Sequence, residues 1–390
     1  MNSCGIVLRA IPESVVHVLQ VGNNTLSTRG GTPKAINDVR RAIGGDIVSF
    51  TNPHLVPEPE EGVFHIPQST SPAGRVYGWA PARVRAQAAS CFDRCDVVLI
   101  HGLFRFHYQW AVNEARRRAR PYLIFPHGSL DPAVFAYRAP QKELWWALVG
   151  RPGLHGAAGT VFTSRLERDK AAARGRLPRP HVIALPVDAA RKETPEVREQ
   201  ARRRLGIDPA HRVVLFLGRL HRIKRLSTVI RAFNRAALPT LHLIVAGPDG
   251  EDTAAGCAQQ VAPALRSQVH FLGPVYGDDK RAAFAAADAF VSVSSRENFG
   301  YSLCEALAQG LPAIVGPGND LAPDLRQAAC AWLLDSDDDA PLADRFRQLA
   351  QAPPGELEAI GERGRAWVEA HLAFGQFRSA LQQACRDALS

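Results

Sequence analysis

Short, almost unbroken apolar runs alternate with longer amphipathic stretches along most of the chain, and this rhythm restricts the fold more than any other feature. Residues 15–21, 47–50, 97–100, 122–125, 160–163 and 182–185 read as strands, with helices at 81–94, 107–118 and 140–148. A strand with one wet face alternates apolar and polar residues. These runs hardly alternate, so both faces of their sheet must be covered. Parallel strands joined by right-handed helical crossovers meet that requirement in a doubly wound sheet. Residues 186–208 break the rhythm with a polar stretch rich in Arg and Glu. It then restarts, with strands at 213–217, 241–246, 269–272, 289–293 and 312–315 and helices at 226–237, 279–287 and 300–309. From about residue 342 the tail reads as helix, and no segment repeats. The expectation is an α/β chain of two doubly wound parallel-sheet domains, residues 1–190 and 191–370, facing a central cleft. Residues 371–390 are expected to form a helix packed back on the first domain. A chain of 390 residues is an ordinary length for two domains.

In open α/β sheets ligands bind beyond the carboxyl ends of the strands. The richest of these junctions reads SSRENFGYSLCEALAQG, residues 294–310. A strand ends, a short loop follows, and a helix starts near Gly300. The unpaired amides of a helix start carry partial positive charge and suit a phosphate, and Gly300 permits close approach. Glu297 lies just before the helix and Glu305 about one turn inside it. Taken singly, each is more simply a cap or a surface acid. Glu305, however, sits among Leu303, Ala306 and Leu307, where an acid needs a partner.

A second junction, VVLFLGRLHRIKR at 213–225, brings Arg219 and Lys224 to a strand end, where together they can neutralise a diphosphate. On a basic protein such a loop can also be mere surface; its place raises the functional reading. Gly30-Gly31, in a loop that opens a helix, is a weak signal, since no GxGxxG is present. His127, backed by Gly128 at a strand end, is well placed for a ligand hydroxyl; His101-Gly102 repeats the position one strand earlier. Asp131 lies near enough to contact a second substrate.

The net charge is +9 and the pI about 9.5. Nucleic acid, an anionic membrane and phosphate-bearing substrates are the partners such a balance allows. Aromatic residues do not interleave with the basic runs, which speaks against nucleic acid. Arg116-Arg117-Arg118 and Arg202-Arg203-Arg204 read as solvated helix faces. Arg83, Arg85 and residues 116–120 are the ones to meet an anionic membrane. The seven cysteines form no CxxC pair and complete no zinc set, so free thiols are expected. No signal-peptide pattern opens the sequence, and no apolar run approaches the ~20 residues of a membrane span. The expected setting is the cytoplasm, at most at the inner face of the plasma membrane.

These motifs resemble those of the GT-B retaining glycosyltransferases of family 4. Glu297-Asn298-Phe299-Gly300 with Glu305 matches the E-x7-E signature. GRLHRIK matches the G-R-x4-K loop, and Gly30-Gly31 and PHG match the N-terminal elements. Order and spacing agree over roughly residues 15–317. The resemblance implies two Rossmann-like domains and no cofactor or metal. Asp278-Asp279, at a helix start rather than a strand end, then read as caps. It further implies that Arg219 and Lys224 bind the donor's diphosphate and that Glu297, with Asn298, Phe299 and Gly300, binds the transferred sugar. Glu305 would hold the ribose, His127 would meet the sugar, Gly30 and Gly31 would approach the phosphates, and Asp131 would face the acceptor. His127, Glu297, Lys224 and Arg219 form the implied catalytic set. The implied partners are a UDP- or GDP-sugar and a glycan or lipid-linked acceptor of the bacterial cell envelope. Arg225 departs from the pattern, which has Gly after the Lys. A nucleotide-sugar epimerase on the same fold, or a basic nucleic-acid or membrane binding protein, is the alternative.

Overall fold

The computed structural model describes residues 16–23, 30–54, 58–136, 139–188 and 193–390. Seven strands build the first sheet: β1 (Val18–Asn23), β2 (Asp46–Thr51), β3 (Val63–Pro67), β4 (Val97–His101), β5 (Tyr122–Phe125), β6 (Gly159–Phe162) and β7 (Pro180–Val182). Their spatial order is β3-β2-β1-β4-β5-β6-β7. Six build the second: β8 (Arg212–Leu217), β9 (Leu241–Ala246), β10 (Val269–Gly273), β11 (Ala289–Ser292), β12 (Ala313–Val315) and β13 (Ala331–Leu333), ordered β10-β9-β8-β11-β12-β13. Every pairing is parallel. In both sheets the order reverses beside the first strand, β1 or β8, so each sheet has a crevice at its middle.

The unbroken apolar runs have the expected cause. On β1, Val18 packs on one face with the helix Gly31–Ile43, and Leu19 and Val21 pack on the other with the helix Phe106–Arg117. β8 divides its Val213/Leu215 and Val214/Phe216 pairs in the same way.

Three departures have plain physical reasons. β3 and β13 lie at sheet edges, where half-exposed residues and a Pro are tolerated, so neither stands out as an apolar run. The apolar run at 182–185 is mostly not strand, and only Ile183 and Leu185 of it are buried. β7 ends at Val182, and Ile183, Leu185 and Val187 continue as an extended connector, Val187 N–H donating to Leu372 O at 3.0 Å. The stretch at 186–208 contains a helix, Pro195–Arg204, and its Arg202 is not a solvated residue. It is 3% exposed and donates to Asp288 at 2.6 Å and to the carbonyls of Ala286, Pro209 and His211 at 3.0 Å. Arg198 reaches the other oxygen of Asp288 at 2.6 Å. The N-terminal arginines are also tied down. Arg118 pairs with Asp93 and Glu114, Arg85 donates to Ala80 O at 3.0 Å, and Arg120 donates to Asp93 O at 3.0 Å.

Beyond β13 come the helices Asp339–Gln351, Pro354–His371 and Phe374–Leu389. The last packs against the helix Gly31–Ile43 and against β4 and β5, returning the chain to the first sheet. The six described cysteines are buried and unpaired; Cys4 lies outside the described residues. Among the described residues no helix is long and apolar enough to cross a membrane.

Removing one member of a buried ion pair strands the other. Arg202→Ala should therefore lower the unfolding free energy by about 3 kcal/mol, the lower end of the usual range because Arg198 still holds Asp288. Urea denaturation checks this; a loss within the ~0.5 kcal/mol of a surface change would show Arg202 to be dispensable.

Candidate active site between the two sheets

A cavity of about 420 Å³ opens where the strand ends of the two sheets meet. Gly30, Gly31, His127, Arg219, Lys224, Glu297, Asn298, Phe299, Gly300 and Glu305 all line it. Asp131 does not. One of its oxygens accepts from Ala133 N at 2.8 Å and the other binds Lys170 Nζ at 3.2 Å, so it caps a turn and holds a cation.

On the C-terminal side, β8 leads into a tight turn. Lys224 N–H donates to His221 O at 2.7 Å and Ile223 N–H to His221 Nδ1 at 3.2 Å. Arg225 then takes φ 57° and ψ 39°, the left-handed conformation that Gly adopts most readily. Its guanidinium pairs with Asp337 and donates to Asp337 O at 2.9 Å, a tether that offsets the strain. The turn therefore keeps a glycine-like shape without the glycine. Arg219 has no ionic partner among the described residues.

Lys224 Nζ forms an ion pair with Glu297, whose Oε2 also accepts from Ser294 Oγ at 3.2 Å. Backbone bonds fix Glu297 in both directions: its N–H donates to Gly318 O, and its carbonyl accepts from Asp320 N–H, each at 2.8 Å. Gly300, at φ 77°, then turns the chain into the helix Tyr301–Ala308, which has neither a side-chain cap nor an acid in its first turn. Its leading amides are left for an anion. One turn in, Glu305 Oε2 accepts from Lys280 Nζ at 2.7 Å. Lys280 also lines the cavity and is the cation the sequence reading missed. The only signal was that Glu305 needed a partner, and nothing local names a residue 25 positions away. Asp278 and Asp279 lie inside the first turn of the helix Gly277–Ala286 rather than capping it.

From the first sheet, β5 delivers His127 at φ 50° and Gly128 at φ 75°. A Cβ on Gly128 would come within 3.3 Å of the Asn298 Cβ across the cleft. The His127 ring joins a buried chain. His101 Nε2–H donates to Gln20 Oε1 at 3.1 Å, and His101 Nδ1 accepts from His127 Nε2–H at 3.0 Å. That tautomer, assigned from the network, leaves His127 Nδ1 as an acceptor. Burial pushes His127 down to about 4 and His101 well below its ordinary value, so both stay neutral.

Glu167, which had no signal in the sequence, organises the junction. Its carboxyl accepts from Gly128 N–H at 2.7 Å, Thr163 N–H at 2.7 Å and Thr163 Oγ1 at 2.9 Å. With its amide oriented to satisfy the network, Asn298 Nδ2 donates to both Glu167 oxygens at 3.1 Å, and its Oδ1 faces the Thr163 hydroxyl at 3.0 Å. Burial raises Glu167 to about 7, although these hydrogen bonds favour its charged form. Other ties across the cleft are Lys170 to Asp320 at 2.6 Å and Tyr301 Oη–H to Asp38 at 2.9 Å. Lys34 pairs with Asp38 at 3.0 Å and lies 4.4 Å over the Tyr301 ring.

HepE of Anabaena, solved in complex with UDP-glucose, superposes on 94% of this chain and 98% of its own with a TM-score of 0.75 at 18% identity. The fold is GT-B. Sucrose-phosphate synthase of Thermosynechococcus elongatus has a TM-score of 0.71 over 95% of this chain and 98% of its own, also at 18% identity. Residues 197–367 match the family described as glycosyl transferases group 1, and that stretch carries Arg219, Lys224, Lys280, Glu297 and Glu305. A D-inositol 3-phosphate glycosyltransferase of Mycolicibacterium gilvum is 32% identical over 182 residues, 45% of this chain and 39% of the relative. The chain thus spans less than half the length of that relative.

Glu167 sets a pH signature. Its folded value, about 7, lies above the ordinary 4.5. Its contribution is therefore fully present below 4.5 and is lost as pH rises through 7. The stability deficit of Glu167→Gln against the parent should shrink between pH 5 and pH 8, by on the order of 2–3 kcal/mol. Urea melts at both pH values test this; a deficit that is constant or widens toward pH 8 would contradict it.

Proposed function

We propose that the chain is a retaining, metal-independent glycosyltransferase of family 4. It would move a sugar from a UDP- or GDP-sugar to a glycan or lipid-linked acceptor of the bacterial cell envelope. The C-terminal sheet carries the donor and the N-terminal sheet the acceptor. One observation carries the reading: a single cavity holds an uncapped helix start, two Lys–Glu pairs and the unpaired Arg219. Four cations, Lys34, Arg219, Lys224 and Lys280, line it with two carboxylates, Glu297 and Glu305, and a diphosphate supplies the missing negative charge. The likeness to a structure with UDP-glucose bound supports the same reading.

In this scheme the helix-start amides and Arg219 grip the diphosphate. Glu305, held by Lys280, accepts from ribose hydroxyls, and Glu297 accepts from sugar hydroxyls. His127 Nδ1 accepts a hydrogen bond from another sugar hydroxyl, from the opposite wall. As the glycosidic bond breaks, negative charge gathers on the leaving phosphate oxygen. Lys224 beside it gains attraction that it lacks in the ground state, and only such gains raise the rate. The acceptor hydroxyl attacks from the face the phosphate leaves and passes its proton to that phosphate, which retains the anomeric configuration.

Calorimetry with UDP, GDP and ADP, each with and without EDTA, tests the reading. At least one should bind, unchanged by EDTA; no binding, or binding lost with EDTA, would overturn it. Lys224→Ala should lower kcat roughly 100- to 1000-fold and raise the donor KM only modestly. A large rise in KM at unchanged kcat would make Lys224 a binding residue alone.

A further inference from the structure

A second polar cavity, of about 380 Å³, lies on the N-terminal sheet apart from the donor cavity. Asn23, Asn52, His54, Gln68, Arg75 and Arg105 line it, at or just beyond the carboxyl ends of β1, β2, β3 and β4. Resting on the proposed transferase reading, we propose that it anchors a phosphate group carried by the acceptor.

The charge balance points that way. Among the described residues no Asp or Glu lines the cavity, and neither Arg75 nor Arg105 has a carboxylate partner. The two guanidinia are nonetheless held. Arg75 Nε donates to Thr70 O at 2.8 Å and Arg105 Nη1 to Val76 O at 2.6 Å. Each uses one N–H of five, and the others remain for a ligand.

Arg75 lies on the short helix Pro72–Tyr77, whose start is closed by its own cap. Ser71 N–H donates to Ser69 Oγ at 3.1 Å and Gly74 N–H to Ser71 Oγ at 3.2 Å. A Cβ on Gly74 would fall 1.9 Å from Ser69 O, so the turn cannot loosen around a larger residue. Anchored forks of this kind lose little freedom when they bind. Phosphate fits better than carboxylate: one guanidinium already occupies both oxygens of a carboxylate, whereas a phosphate offers oxygens to two at once. Gln68 Nε2 donates to Asn23 Oδ1 at 3.0 Å, which leaves Gln68 Oε1 to accept from a sugar hydroxyl and Asn23 Nδ2 to donate to one.

The spacing fits as well. β1 and β5 flank β4, so the end of β1 lies two strand spacings, about 10 Å, from the end of β5 where His127 stands. A sugar held at Asn23, with its phosphate on Arg75 and Arg105, would extend toward the donor cavity across that spacing. Val76, whose carbonyl receives Arg105, is 66% exposed, so a lipid-linked diphosphate is as accessible a source as a free sugar phosphate.

The full chain, with UDP saturating to block the donor cavity, is titrated by calorimetry with glucose, glucose 6-phosphate, glucuronate and geranyl diphosphate. At least one phosphate-bearing probe should bind, and more tightly than glucose or glucuronate. Tighter glucose 6-phosphate marks a soluble source, tighter geranyl diphosphate a lipid-linked one. The double variant Arg75→Gln/Arg105→Gln should weaken that binding roughly 10- to 100-fold and leave UDP binding unchanged, which also shows that the variant is folded. Equal binding of neutral and phosphorylated sugars, or an unaffected double variant, overturns the proposal while UDP binding stands. Where the parent chain binds GDP or ADP instead, that nucleotide replaces UDP in the titration; absence of binding by all three would sink the transferase reading.

Discussion

The cleft depends on an apolar core that does not stop where the first sheet ends. Ile183, Leu185 and Val187 leave the first sheet as a buried connector, and the helix Phe374–Leu389 returns to it with Phe377, Leu381 and Ala384 buried. Both crossings belong to one continuous cluster that includes faces of both sheets. Burial of this kind is non-directional but additive in area. It brings two rows of strand ends face to face, and polar ties at the rim set how they meet.

Most of the charges at the cleft are satisfied before any ligand arrives. Lys224 and Glu297, Lys280 and Glu305, and Lys170 with Asp131 and Asp320 each hold a partner. A charge in a partly dry cleft is costly if left alone. Pairing lowers that cost and fixes each side chain within reach of a ligand. Asp320 shows the residual tension: burial raises it to about 6 even with Lys170 beside it.

Much of this was legible in the sequence, where local chemistry was enough. β5 and β9 were delimited to the residue because buried parallel strands read as unbroken apolar runs between polar breaks. Ten of the eleven expected site residues share one cavity because strand ends and a helix start announce themselves by Gly, His and charge at fixed offsets. What stayed hidden depends on distant partners. Lys280 looks like any helix lysine until Glu305 is seen beside it. Arg202 sits in a triplet that resembles a solvated face, yet it reaches Asp288, 86 residues on. Glu167 lies in an ordinary polar helix, and its value comes from amides on two other segments. Asp131 was misread because proximity in sequence to His127 does not say which way a carboxylate turns.

The return of the helix Phe374–Leu389 to the first sheet also has a temporal meaning. A nascent chain emerges from the ribosome in order, and N-terminal units usually fold first. Here the face of β4 and β5 that this helix covers must wait until residues 126–373 have followed. Until then Leu99, Leu123 and Phe125 have lost part of their cover, and the parallel sheet they belong to is slow to form in any case. The half that comes off the ribosome first is thus completed only after the second has emerged, and part of its apolar surface stays open in the interval.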